Sequence, residues 1–140
     1  MKWLLKLLGI VKDDAVQAAK PVATMKKLSV GTYELVIGGM LNKGTLDNIQ
    51  AIGAREIDKG TDSLKMLVIL KDFTGWRKGD DWGDLSFFAE YGDRVTKIAV
   101  VGESRWEAEL LMFLGAGRRK GEVRFYTPDK DSSARSWILS

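Results

Sequence analysis

The sequence predicts an α/β domain: a mostly parallel central sheet opened by an antiparallel hairpin, with helices on its faces and an amphipathic helix ahead of it. Three observations predict it. Met66 to Leu70 and Ile98 to Val101 are unbroken apolar runs of strand length, the mark of central strands covered on both sides. Apolar residues at helical spacing separate the strand signals, at Leu46, Ile49, Ile52 and Ile57 and again at Trp106, Leu110, Phe113 and Leu114. The whole pattern fits within 140 residues, the size of one domain.

The elements follow in order. Residues 1–21 form an arm in which Trp3, Leu7, Val11 and Ala15 line one helical face, with Lys2, Lys6 and Asp13 opposite. Pro21 separates this arm from a body spanning residues 22–140. Val22 to Leu28 and Tyr33 to Ile37 read as strands joined by a turn at Val30 and Gly31, and a helix ending near Gly60 follows. After the first apolar run, Trp82 to Tyr91 is helical in pattern, with Asp80 and Asp81 at the positive end of its dipole. Ser104 and Glu107 have the spacing of a capping box opening the next helix, and Gly115 and Gly117 mark its end. Glu122 to Tyr126 alternates charged and apolar residues as an edge strand does, with Val123 and Phe125 inward. Thr127 and Pro128 then start a short helix that returns Trp137 and Ile138 to the core.

Composition narrows the chemistry. The chain has no histidine and no cysteine, which removes imidazole bases, thiolate nucleophiles, disulfides and the usual zinc ligands. The net charge of +3 is carried by the front of the chain. Residues 1–30 hold six lysines against Asp13 and Asp14, while the remaining 110 residues hold sixteen basic and seventeen acidic groups. A body so balanced lacks the basic face of a nucleic-acid binder, and none is expected as a partner.

Several local patterns resemble sites and fail on their spacing. Asp72, Asp80, Asp81 and Asp84 do not form a calcium loop, and no metal or other cofactor is expected. The Gly115 to Gly121 stretch, GAGRRKG, follows a helix and precedes a strand, the reverse of a phosphate loop, and reads as a solvated connection, the alternative being contact of Arg118, Arg119 and Lys120 with acidic lipids or a partner. Ser104 lacks the second glycine of a nucleophile elbow and any histidine to activate it. No catalytic residue emerges, and the chain reads as a non-enzyme.

The ordered set Asp72-Phe73-Thr74-Gly75-Trp76, Trp82-Gly83-Asp84-Leu85, Ile98-Ala99-Val100-Val101-Gly102 with Trp106, Glu122-Val123-Arg124-Phe125-Tyr126, and Ala134 with Trp137 resembles the SpoIIAA-like proteins of bacteria. The resemblance runs from about Val30 to Ile138 and excludes the arm. It implies a fold related to STAS domains and compared with CRAL-TRIO lipid carriers, and a module that carries or senses a small nonpolar molecule. Anti-sigma-factor antagonists of the STAS type carry a phosphorylatable serine after an aspartate. Here the turn after Asp72 offers only Thr74, so the resemblance does not extend to that switch.

Ligands of open α/β sheets bind at the carboxyl ends of strands. The sequence places a loop with Phe73, Trp76 and Trp82 beside Ser104 and Arg105 at that rim, and these five residues are the candidate ligand-binding set. The competing account is that the tryptophans simply pack the following helix on the sheet. Lys2, Trp3, Lys6 and Leu7 are the candidate contacts to a membrane surface or a partner, since a basic amphipathic helix either lies among lipid head groups or docks on protein. The expected partners are a small nonpolar molecule or lipid, a peripheral membrane surface, and a second copy of the chain. The expected setting is cytoplasmic, at the inner membrane surface if the arm meets lipid. The alternative function is a regulatory STAS-type module acting through self-association or a partner chain.

Overall fold

A computed structural model describes residues 22–60, 63–77 and 92–140. The predicted arm and the predicted helix from Trp82 to Tyr91 lie outside the described residues.

The opening hairpin pairs β1 (Val22–Ser29) with β2 (Thr32–Leu41) antiparallel around Gly31, whose φ of 77° is the left-handed geometry that favours glycine. α1 (Lys43–Asp58) follows, its first turn capped by Asn42 Oδ1, which accepts from the Thr45 amide at 2.8 Å. β3 (Leu64–Trp76), β4 (Val95–Val101) and β5 (Glu122–Tyr126) then add to β2 in parallel, giving the spatial order β1-β2-β3-β4-β5. α2 (Glu107–Phe113) connects β4 to β5, and α3 (Asp131–Leu139) follows β5. This is the mixed α/β architecture expected from the apolar runs.

Strand alternation sorts the core into two layers. Tyr33, Leu35 and Ile37 of β2, Val68 of β3, and Ile98 and Val100 of β4 turn toward α1 and α2, where Ile57 and Leu110 are buried against them. Leu67, Ala99 and Val101 turn the other way and meet Ala134 and Ile138 of α3. The geometry follows from the strand order. The β2–β3 and β4–β5 crossovers carry α1 and α2 on one face, and α3 takes the other.

Two expectations are corrected. The chain after Leu70 is not a loop, because β3 continues to Trp76 and pairs with Gly39, Met40 and Leu41 of β2 through register shifts. Asp72 (φ 56°) and Gly75 (φ 117°) absorb those shifts, so turn-forming residues sit inside a strand. The capping box does not form either. Glu103 takes the extended cap position and the Trp106 amide bonds the Glu103 carbonyl at 3.0 Å, which places Ser104 inside a short 3-10 helix, Ser104–Trp106, with no side-chain cap.

Candidate functional site

A cavity of about 110 Å³ lies between the sheet and the helices α1 and α2. Its floor is the outer row of side chains on β2, β3 and β4, including Leu35, Ile37, Val68 and Ile98. Its roof comes from Leu46 and Ile49 of α1 and from Leu110 and Leu114 at α2. Gln50 and Arg119 are the polar side chains among the described lining residues.

The carboxyl end is closed by rings. Phe73 is buried on β3, edge-on to Trp76 at 5.5 Å and to Trp106 at 4.9 Å between centroids. Trp76 lies tilted over Phe113 of α2 at 4.6 Å, and its Nε1 donates to Glu109 Oε2 at 3.1 Å. Gly75 is required by its φ of 117°, while a Cβ there would only touch the Trp106 ring in ordinary contact at 3.4 Å. Trp106 Nε1 is buried without a hydrogen-bond acceptor among the described residues.

The candidate ligand residues therefore separate. Phe73 and Trp76 line the cavity. Ser104 is exposed, and Arg105 is stacked outward over Trp106 at 4.7 Å and paired with Glu103 at 3.4 Å, both on the surface turn after β4. Trp82, Lys2, Trp3, Lys6 and Leu7 lie outside the described residues. The order of the described strands does not reverse, so they form no crevice of the kind found at a reversal of strand order. The apolar space lies beneath the helices instead, partly open to the surface.

Arg119 is the charged residue among the lining side chains that reading the sequence did not place at a ligand site. The connection from α2 to β5 reads as solvated, yet Arg119 turns inward at the amino ends of β3 and β4. Its Nη1 donates to the Leu114 carbonyl at 3.1 Å and its Nη2 to the Gly92 carbonyl at 3.0 Å. Burial pushes its pKa down, opposed by the nearby charge of Asp93. It remains protonated at neutral pH. Near the same layer, the Tyr33 hydroxyl donates to a Glu56 carboxylate oxygen. Burial first, then that bond and the Glu56 charge, push the phenol up to about 12, while accepting the bond holds Glu56 below the ordinary carboxylate range.

Among the described residues no three carboxylates group as a metal site, and no helix is long and apolar enough to cross a membrane. The described cavity lining lacks a carboxylate or hydroxyl that would move a proton.

A family model described as SpoIIAA-like matches residues 32–139. No curated protein matches the chain. The solved structures include an uncharacterised protein with a SpoIIAA-like fold from Shewanella loihica PV-4. It is 13% identical and superposes with a TM-score of 0.60 over 84% of this chain and 93% of that one.

Proposed function

The chain belongs to the SpoIIAA-like family, and from that premise we propose that it is a non-enzymatic module of the STAS type that holds a small nonpolar molecule between its sheet and the helices α1 and α2. The observation that carries this reading is the cavity of about 110 Å³ with its almost wholly apolar lining. Apolar atoms that line an unfilled space forgo contacts, which an apolar occupant restores. Water does not fill such a space well because it would forfeit its hydrogen bonds, whereas a benzene-sized molecule fits. The described lining supports carriage or sensing over catalysis, since Gln50 and Arg119 supply no acid–base pair.

The test is a titration with benzene followed by NMR of methyl-labelled leucine, isoleucine and valine. Leu35, Ile37, Val68 and Ile98 are expected to shift saturably, with a Kd of about 0.1–1 mM. Leu67 and Val101, on the opposite face, are expected to stay in place. Absence of shifts, or shifts spread equally over both faces, overturns the reading.

A further inference from the structure

The apolar cavity adjoins a second space, a surface groove of about 470 Å³ between β1 and α1. Met25, Leu35 and Ile49 line both and form the partition between them. Met25 and Leu35 stand opposite each other in the β1–β2 pair, and Met25 and Ile49 are only partly buried against the core. Met25 is long, unbranched and placed on the end strand of the described sheet, so it can change rotamer without disturbing a neighbouring strand on its outer side. The two spaces differ in chemistry. Helical spacing puts Thr45, Asn48 and Ile52 in one row of α1 with Ile49, so the groove combines a hydroxyl and a carboxamide with apolar side chains. No charged side chain lines it among the described residues.

Resting on the proposed apolar site, we infer that its occupant is a small free amphiphile with a neutral hydroxylated head, its tail in the cavity and its head in the groove beside Thr45 and Asn48. The tail passes between Met25 and Ile49. A cavity of about 110 Å³ takes a single tail on the order of six carbons, not the paired long chains of a bilayer lipid, so the ligand is a free molecule. The Asn48 carboxamide both donates and accepts, and the Thr45 hydroxyl does the same, which suits hydroxyl groups. A charged head in this groove would give up part of its hydration without a counter-charge in the described lining, whereas a neutral head exchanges water for equivalent hydrogen bonds.

The test compares hexylglycerol, hexanoate and benzene by titration calorimetry and methyl NMR on the full chain. Hexylglycerol is expected to bind about tenfold more tightly than hexanoate. Benzene is expected to shift the cavity methyls of Leu35, Ile37, Val68 and Ile98, while hexylglycerol shifts these together with Ala23 and Ile52, which line the groove and not the cavity. Asn48→Ala, at an exposed helix position, is expected to weaken hexylglycerol about fivefold, with benzene reporting that the cavity is intact in the variant. The methyl pattern in the natural chain does not depend on that variant. Hexanoate binding as tightly as hexylglycerol, unmoved Ala23 and Ile52 signals, or an unchanged hexylglycerol affinity in Asn48→Ala overturns the neutral-head inference, and the apolar site stands if benzene still shifts the cavity methyls. Failure of benzene and hexylglycerol alike overturns the inference and the proposed function together.

Discussion

On the face under α3, Leu67, Ala99, Ala134 and Ile138 are wholly shielded from solvent, and the two alanines let helix and sheet approach closely. On the face under α1 and α2, bulkier side chains stand around an unfilled space. The rims differ as well. Lys65 donates to the Ser140 carbonyl at 3.1 Å and Lys97 to the Trp137 carbonyl at 3.2 Å, placing two cations at the negative end of α3. Arg135 pairs with Glu34 of β2 at 2.7 Å, and Arg124 lies over Trp137 at 4.4 Å. One helix is thus tied to four strands by charge as well as by burial. The contrast teaches that the same strands support a face specialised for closure and a face that keeps room.

Matched truncations break this contrast most forcefully. Leu67→Ala is expected to cost about 4 kcal/mol in urea unfolding, whereas Leu35→Ala, whose side chain already borders the void, is expected to cost about 3 kcal/mol. Equal losses would mean that the two layers are equally filled. Enlargements sharpen it. Val101→Ile is expected to destabilise by about 1–3 kcal/mol because Val101 is buried among Leu67, Ala99, Ala134 and Ile138, while Val68→Ile is expected to be neutral or to stabilise by up to about 1 kcal/mol.

The smallest effect concerns pH. Tyr33 has a folded pKa of about 12 against an ordinary 10.0, so its contribution is complete below pH 10 and is lost as the pH rises through about 12. Urea midpoints measured from pH 8 upward are expected to fall above pH 10, and Tyr33→Phe is expected to flatten that fall. An equal slope in both proteins would place the loss elsewhere.

The strands with unbroken apolar runs were legible because burial on both sides leaves a one-dimensional signature in Met66 to Leu70 and Ile98 to Val101. The extension of β3 through Asp72 and Gly75 was not, because these residues also form turns and only pairing with Gly39 to Leu41 selects the strand. Phe73 and Trp76, expected on a rim loop, lie on a strand and line the cavity. Ser104 and Arg105 follow β4 as foreseen, and Arg105 pairs with Glu103 and stacks over Trp106 on the surface turn. Arg119 left no periodic signal. Its inward course depends on carbonyls of Leu114 and Gly92, the second 27 residues away, and no local pattern encodes such a distance.

The one-way march of the parallel strands also bears on how the chain is made. Synthesis runs from the amino end, so all five strands emerge before α3 does. Until then a nascent sheet would present Leu67, Ile69, Ala99 and Val101 to the surrounding medium. That bare surface makes the interval before α3 arrives the period in which a ribosome-bound chain most needs shelter from its neighbours.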